Sequence, residues 1–325
     1  MLRSGFRTNN RVGNRERATI SVSAPYREDL WGASPFEVVD IAHWTPDQDE
    51  PSGENEKTWF RAPDGSRWVF KPNRPRRSLF ENSAELAASL IAVQLRIPAA
   101  KVRLASLDGT AGCVSMNVVS SERNQLENGS VFISEFVDNF DPKDKLSRGH
   151  SLTNILRVLD HVEPPIGAIQ SSLSASGWFA GYLLFDALIG NRDRHSENWA
   201  IEITEAGTRH LAPSYDHATS LGIVVRHAGL AKTIGSQQAI NAFAQNATAY
   251  RFQGHRDDSL VDVAGQFARL CGTRALRYWQ EEFSALAVQA AMDVVAGAKM
   301  SPGNATLAQG IIRYNQERIL ACLNS

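Results

Sequence analysis

The sequence has little that would place it among extracellular, membrane-spanning or zinc-binding proteins. It contains three cysteines, which are scattered and lack metal-ligand spacing, namely Cys113, Cys271 and Cys322. Reduced thiols are the simplest interpretation, and a cytoplasmic location is therefore predicted. No apolar run approaches the length of a membrane span, and no hydrophobic segment of a signal peptide is present.

The chain also lacks a strong charge of either sign. Its 34 basic and 35 acidic residues give a formal net charge of -1, so no basic field favours nucleic acid. It has no internal repeat, coiled-coil heptad or DNA-binding motif. What is present is 325 residues with 43% hydrophobic content, which suits one large domain or two lobes around a packed core.

The start of the chain is basic. Met1 to Thr19 holds five arginines and one acid, Glu16, and is poor in large apolar residues. We predict a disordered tail over residues 1–25. An organelle transit peptide is the alternative, but no amphipathic repeat supports it.

One polar loop lies between two apolar segments. Tyr182–Ile189 is apolar at helical spacing, which predicts a buried helix that ends at Gly190. Trp199–Ile203 alternates and predicts a strand. Polar loops that are held by a rigid scaffold commonly carry catalytic groups.

The side chains of this loop suit phosphoryl transfer. That reaction needs a carboxylate to accept the proton of the attacking hydroxyl, an oxygen ligand for magnesium, and a second acid for the metal. Asp193 and Asn198 match the first two, and Asp216, in LAPSYDHATSLG, is available as the third. The alternative is a solvated loop in which Asp193, Arg194 and Glu197 only form ion pairs.

These two segments, GNRDRHSENWAI and APSYDHATSLG, resemble the catalytic core of the HipA-like kinases. These are bacterial serine/threonine protein kinases with a two-lobed kinase-like fold, and they include toxin kinases and stand-alone relatives. The resemblance covers most of the chain from Pro51 to Gly222. It implies that Asp193 is the catalytic base and that Asn198 and Asp216 bind magnesium.

His195 lies between Asp193 and Asn198 and has two interpretations. It is a candidate catalytic acid or base, or a metal ligand, and the alternative is that it positions the loop by hydrogen bonding. His217, beside Asp216, is interpreted as incidental. No cluster of histidine and cysteine indicates zinc.

A hairpin is predicted over Lys57–Pro72, with its turn at Asp64–Gly65. Lys71 lies at the end of the second strand, where a kinase uses a lysine on the α- and β-phosphates of its nucleotide. The resemblance assigns this role to Lys71. The alternative is a lysine that only extends from the end of a strand to solvent.

An alanine-rich helix is predicted after the hairpin, within Phe80–Pro98. Asn82 is its predicted cap, with Glu85 at the capping-box position. In a kinase-like lobe this helix supplies a glutamate that pairs with the lysine, and Glu85 is our choice, with Glu81 as the alternative. Whether Glu85 pairs with Lys71 or only caps the helix stays open.

The segment Ser52–Thr58 resembles the phosphate-covering loop of the family. Ser52 and Gly53 would offer backbone N–H groups to phosphate oxygens. The segment departs from the family because it has a single glycine, with Pro51 and Glu54 beside it. A plain surface turn is therefore the alternative.

The remaining segments complete an α+β architecture. Two strands are predicted around Asp108–Gly109 and a third over Val131–Val137, which gives the first lobe an antiparallel sheet and one helix. A hinge is predicted at Asn139–Pro142. The chain is predicted to be helical from Leu152, and three helical segments close it after a poorly periodic region between Gly222 and Tyr250.

We therefore predict a bilobal protein-kinase-like fold with an N-lobe in residues 26–138 and a C-lobe in 139–325. The resemblance implies an enzyme that uses ATP and magnesium to phosphorylate a serine or threonine of a protein. It also allows a separate antitoxin or regulator as a partner. No direct nucleic-acid partner and no membrane span are predicted.

Two other functions stay open at this point. Kinases of small molecules and of phosphoinositides use similar parts, and one sequence does not reveal the acceptor pocket. An inactive kinase-like binding module is the third possibility. It is disfavoured because a decayed site commonly loses one of four residues that are all present here, Lys71, Asp193, Asn198 and Asp216.

Overall fold

The predicted hairpin around Asp64–Gly65 forms two strands of a six-stranded sheet. In this computed structural model they are β3 (Thr58–Arg61) and β4 (Arg67–Pro72), which pair antiparallel. Gly65 has a φ of 84°, a conformation that glycine adopts without steric cost. The structure describes residues 34–47, 58–74, 78–170, 172–225 and 227–325.

Four further strands complete this sheet. They are β1 (Val39–Asp40), β2 (Thr45–Asp47), β5 (Val102–Leu107) and β6 (Thr110–Met116), and the order is β1-β5-β6-β4-β3-β2. Only the β1–β5 pair is parallel. The turn between β5 and β6 lies at Asp108–Gly109, as predicted, and Lys71 on β4 pairs with Cys113 on β6.

One face of this sheet has its own apolar core. Its members are large side chains from the strands and from the segment before β2, and they include a Trp44–Trp68 ring contact with centroids 6.0 Å apart. Burial of these rings stabilises the sheet because each removes a large apolar area from water. The buried members are Ile41, Trp44, Phe60, Trp68, Phe70, Ala105 and Val114.

Helix α1 (Glu81–Gln94) packs against β5 and β6. The prediction that Asn82 caps it is wrong, because the helix begins at Glu81 and Asn82 lies inside the first turn. Asn73 accepts the Asn82 backbone N–H through Oδ1 at 3.1 Å, and the Asn82 side chain donates to the Gly112 carbonyl. Glu85 is therefore free of any capping-box role.

The predicted third strand at Val131–Val137 is wrong. This stretch contains helix α2 (Gly129–Ser134), and the Val137 N–H donates to the Ile133 carbonyl at 3.0 Å. Phe132, Ile133, Phe136 and Val137 fall on one helical face, and all four pack in the main core. The helical spacing of these apolar residues therefore decides the structure of the segment, and their alternation, which predicted a strand, does not.

The structure contains a second sheet, which has three strands and was not predicted. Its members are β7 (Gln125–Asn128), β8 (Ala200–Ile203) and β9 (Arg209–Leu211), in that order and antiparallel. The chain thus leaves the six-stranded sheet at Met116, well before the hinge predicted at Asn139–Pro142. The predicted division between lobes at residues 138 and 139 stays a prediction.

The main core surrounds helix α4 (Ala175–Ile189), which follows helix α3 (Leu152–Leu159). Every α4 residue except Ser176 is buried, so this helix is apolar on all sides. Gly181 allows a close approach, since a Cβ there would lie 2.0 Å from the Trp279 ring. The helix ends at Gly190, whose φ of 65° is typical of a C-terminal cap.

Helices make up the rest of the chain. The poorly periodic region contains two that were not predicted, α5 (His227–Thr233) and α6 (Gln237–Gln245). The others are α7 (Leu260–Leu270), α8 (Thr273–Ala285), α9 (Val288–Gly297) and α10 (Pro302–Asn324). Three closing helical segments were predicted and four helices are present, because the second segment is divided into α8 and α9 where the chain is extended at Leu286. Gln316 donates to the Phe283 and Leu286 carbonyls that this break exposes.

These elements show a mixed α+β fold with a curled sheet in the first lobe and a helical C-terminal region. Phe36–Ser325 form one compact unit. Within the described ranges, no helix has both the length and the apolar character that crossing a bilayer requires.

Candidate active site

Strand β4 and helix α1 bring a lysine and a glutamate together. Lys71 Nζ lies 3.1 Å from Glu85 Oε1 and 3.2 Å from Asp216 Oδ1. The Glu85 side chain is 1% exposed, whereas the Asp216 side chain is 31% exposed. Glu81, the alternative partner, instead pairs with Arg74 at 2.8 Å. The lysine therefore connects the sheet, the helix and the segment after β9.

The charge of Lys71 is held by these two carboxylates. Burial alone would lower the pKa of Lys71, but the charges of Asp216 and Glu85 outweigh it and raise the pKa above its ordinary value. Lys71 is therefore a fixed cation. Because its ammonium faces a partly exposed carboxylate, it is available to bind an anion such as a phosphate.

The loop after α4 is fixed by its own amides. Asn198 Nδ2 donates to the Asp193 carbonyl at 2.7 Å, and Asn191 Oδ1 accepts the Asp193 N–H at 3.3 Å. Asn191 in turn donates to Asp186 on α4 at 2.8 Å. These bonds hold the main chain of Asp193. The Asn198 Oδ1 atom accepts no hydrogen bond from the described residues.

Asp216 lies in a strained segment that both lobes hold. Its φ is 62°, a left-handed conformation that costs an aspartate about 1–3 kcal/mol. Just before it, Ser214 exchanges backbone hydrogen bonds with the segment after α1: its N–H donates to Pro98 and its carbonyl accepts from Ala100, both at 2.8 Å. This pairing brings Asp216 to Lys71.

A buried arginine joins the loop to the Asp216 segment. Arg194 pairs with Asp186 through Nε at 2.7 Å and Nη2 at 2.9 Å, and both side chains are 2% exposed. Its Nη1 donates to the Asn198 and Tyr215 carbonyls, at 2.5 Å and 3.5 Å. One guanidinium therefore contacts the main chain of Asn198 and of the residue before Asp216.

His217 is part of this buried network, so interpreting it as incidental was wrong. Arg194 Nη2 donates to Ser214 Oγ at 2.8 Å, and Ser214 Oγ lies 2.8 Å from His217 Nε2. Arg194 Nη2 also lies 3.3 Å from His217 Nε2, and because a guanidinium can only donate, this ring nitrogen is an acceptor and the serine hydroxyl donates to it. Burial, followed by the charge of Arg194, holds the pKa of His217 well below its ordinary value, so the ring is neutral.

His195 hydrogen-bonds within its own loop. Its Nδ1 accepts the Glu197 backbone N–H at 3.2 Å, and the Glu197 carboxylate lies 3.8 Å away. Burial lowers the pKa of His195, which favours the neutral ring. These contacts favour the positioning interpretation. A catalytic role for His195 stays a prediction.

Asp193 has a partner that the sequence did not reveal. Arg251, from the loop between α6 and α7, places Nη2 at 2.6 Å and Nε at 2.9 Å from Asp193 Oδ1. The Tyr250 hydroxyl lies 3.4 Å from the same oxygen. Arg251 is remote in sequence and lies in a region without clear periodicity, so no local pattern indicated this contact.

The remaining predicted site residues are Ser52 and Gly53. Both lie in residues 48–57, outside the described residues. Within the described part, no group of three or more histidine, cysteine, aspartate or glutamate side chains could hold a metal ion. The donors predicted from the sequence are the amide oxygen of Asn198 and a carboxylate oxygen of Asp216. Such a set suits magnesium, which commonly takes one or two protein carboxylates together with substrate phosphates.

Comparison with known families identifies the family of the chain. Residues 50–271 match the HipA-like C-terminal domain, which is more than half of the chain. The chain belongs to this HipA-like family.

A curated relative of this HipA-like chain is the candidate kinase Y4dM of Sinorhizobium fredii (strain NBRC 101917 / NGR234). It is 28% identical over 162 residues, which cover 47% of this chain and 37% of Y4dM. The matched stretch therefore spans little more than a third of that relative.

Solved structures support the fold of the HipA-like chain. The Helicobacter pylori proinflammatory kinase CtkA is similar with a TM-score of 0.70 at 13% identity, covering 88% of this chain and 97% of CtkA. At that identity the likeness shows the fold alone. A Shewanella oneidensis MR-1 HipA, solved with HipB and operator DNA, has a TM-score of 0.40 at 13% identity and covers 86% of this chain and 65% of that one, too low a score to carry further argument.

Proposed function

We propose that this chain is an ATP- and magnesium-dependent protein kinase that phosphorylates a serine or threonine hydroxyl. The observation that best supports it is the position of Lys71 Nζ within 3.2 Å of both Glu85 and Asp216. A cation held in this way suits a nucleotide's phosphates, and the acid beside it suits a metal ion. The family of the chain supports phosphotransfer, and the use of ATP and magnesium and the protein acceptor are the parts we infer.

In the proposed reaction, Asp193 accepts the proton of the acceptor hydroxyl. The hydroxyl oxygen forms a bond to the γ-phosphorus while the bond to the β-phosphate oxygen breaks, and ADP leaves with that electron pair. Lys71 would bind the α- and β-phosphates. Asn198 and Asp216 would hold magnesium, which neutralises phosphate charge when bound.

The connection Asn117–Asn124 follows the point where the chain leaves the six-stranded sheet. Backbone groups there are partly committed: Asn117 N–H donates to Arg67, and Ser120 N–H donates to buried Glu202 at 2.7 Å. These contacts keep the connection in one conformation. A separate antitoxin or regulator as a partner, and a cytoplasmic location, stay predictions.

The test is transfer of labelled phosphate. The full chain is incubated with γ-labelled ATP, magnesium and a cell extract, beside Asp216→Ala and Asp193→Asn. Label in proteins is expected for the wild type. Asp216→Ala should abolish transfer, and Asp193→Asn should lower it by about 10²–10⁴-fold, because a general base contributes about that much.

The matched control is Asp257→Asn, which removes an exposed carboxylate in the loop between α6 and α7. It should transfer label like the wild type. Label in lipid or in small metabolites would show that the phosphate acceptor is one of these molecules and not a protein. Absence of ATP binding, measured by titration, would leave a kinase-like binding module as the function.

A further inference from the structure

The contact between Arg251 and Asp193 is one-sided. Both guanidinium donors reach Oδ1, at 2.6 Å and 2.9 Å, and in the described part of the chain Oδ2 accepts no hydrogen bond. A carboxylate held in this way presents one occupied and one available oxygen. In that state a general base can receive a proton from the hydroxyl group that accepts the phosphate.

The Arg251 main chain is fixed by a buried histidine. His150 Nδ1 lies 2.6 Å from the Arg251 carbonyl, and Trp199 Nε1 donates to His150 Nε2 at 3.1 Å. Because the indole can only donate, Nε2 must be the acceptor and Nδ1 must carry the proton. Gln253 N–H also donates to the His150 carbonyl at 2.9 Å, so two bonds hold this loop.

Aromatic rings hold the same loop from its sides. His150 stacks on Phe252 with centroids 4.9 Å apart. The Arg251 guanidinium carbon lies 4.9 Å from the centroid of the Tyr250 ring, a cation–π contact that limits its rotation. Arg251 is thus anchored at its carbonyl and at its side chain before it reaches Asp193.

Asp193 needs such an external anchor. Asn191 and Asn198 bond only to its N–H and carbonyl, so they do not restrain rotation of its carboxylate about the side-chain torsions, and the Tyr250 hydroxyl contact at 3.4 Å is long. The Arg251 charge opposes this rotation. Burial alone would lower the pKa of Arg251, but Asp193 raises it, so the guanidinium stays charged.

We propose that Arg251 is a positioning residue for the base: it holds Oδ1 so that Oδ2 faces the acceptor hydroxyl. This inference rests on the proposed kinase function. In the transfer step Oδ2 takes the hydroxyl proton, the oxygen bonds to the γ-phosphorus, and ADP leaves with the electrons of the broken bond. Arg251 touches neither reactant and acts through Asp193.

The exposure of the pair separates this role from a structural one. The Arg251 and Asp193 side chains are 31% and 20% exposed, so water screens their attraction. The pair is therefore expected to add little to folding stability. Misplacing a catalytic group, in contrast, can lower turnover by about 10²-fold.

The experiment compares Arg251→Met, Arg251→Lys and Arg251→Ala with a control, Arg256→Met, in the full chain. Arg256 lies in the same loop and, among the described residues, donates to the Lys145 carbonyl alone, so its loss changes charge without touching Asp193. We expect the kcat of Arg251→Met to fall at least tenfold, with the KM for ATP within twofold of wild type. Arg251→Lys should retain part of the turnover, and Arg256→Met all of it.

Chemical rescue supplies a second measurement. Guanidinium ion at millimolar concentration should raise the turnover of Arg251→Ala several-fold and leave Asp193→Asn unchanged, because only the first variant retains the carboxylate. Melting temperatures of the Arg251 variants should stay within a few degrees of wild type. Loss of the fold in Arg251→Met with no rescue of Arg251→Ala would make the residue structural and overturn the inference.

The outcomes separate this inference from the proposed function. A wild type that transfers no phosphate overturns the function, and the inference with it. An active wild type beside an Arg251→Met variant of equal kcat overturns the inference alone. A kcat that rises in Arg251→Met would make the contact inhibitory and would also overturn it.

Discussion

The pair formed by Arg194 and Asp186 predicts a specific loss of stability. Asp186 accepts both Arg194 donors, and each side chain is 2% exposed. Asp186→Asn keeps the shape of the side chain and removes its charge. The guanidinium then remains buried with neutral acceptors alone, namely the new amide oxygen, the Asn198 and Tyr215 carbonyls, Ser214 Oγ and His217 Nε2.

The magnitude follows from the burial of both partners. Removing one partner of a buried ion pair costs about 3–5 kcal/mol, because an uncompensated charge stays in a medium of low polarity. For a chain of this size 1 kcal/mol corresponds to roughly 2 °C in melting temperature. Asp186→Asn should therefore lower the melting temperature by about 6–10 °C.

The assay is thermal unfolding followed by circular dichroism, beside Asp144→Asn. Asp144 also accepts from an arginine, Arg148, at 2.9 Å, but that arginine is 75% exposed. The same chemical change there should shift the melting temperature by less than about 2 °C. Equal shifts in the two variants would refute the reasoning, since burial would then not decide the cost.

Three further predictions concern packing, pH and the lysine. Gly181→Ala should destabilise the fold by about 1–3 kcal/mol in urea unfolding, because the new Cβ would meet the Trp279 ring. Gly177→Ala on the same helix is the control, since the nearest atoms would lie 3.5 Å from its Cβ, and it should be neutral or stabilising. Burial lowers the pKa of His150 to about 4. The ordinary value is 6.5, so stability should fall between pH 6.5 and pH 4 by about 3 kcal/mol, and the fall should be smaller in His150→Gln. Lys71→Met should weaken ATP binding or turnover more than tenfold, about 1.4 kcal/mol, and ATP kinetics equal to wild type would contradict the phosphate role.

Features that depend on local sequence could be predicted. The Asp64–Gly65 turn, the end of α4 at Gly190 and the strand at Ala200–Ile203 are set by backbone preference and alternation within a few residues. The pairing of Lys71 with Glu85 needed the kinase resemblance, because local chemistry fitted a cap equally well. The structure separates the two by starting α1 at Glu81.

Features that depend on distant contacts could not be predicted. The segment at Val131–Val137 satisfied a strand pattern locally, but α2 buries Phe132 and Ile133 together against the main core. From the sequence, Arg194 was interpreted only as an ion-paired residue in the alternative of a solvated loop, and its burial was not predicted because arginine is rarely buried alone. One signal was present: Asp186 is an acid within an apolar helix, and a buried acid requires a cationic partner.

The two arginines around the loop therefore act on different properties of the same site. Arg194 is buried, bonds to main-chain carbonyls and fixes where Asn198 and the Asp216 segment lie. The Arg251 side chain is partly exposed and donates two hydrogen bonds to the carboxylate of Asp193, and within the described part of the chain it donates none to the main chain of the loop. A buried charge is costly to leave without its partner, whereas an exposed one can hydrate. Disturbing the Arg194 network should therefore appear first as lost stability, and disturbing Arg251 as lost turnover in a protein that is still folded.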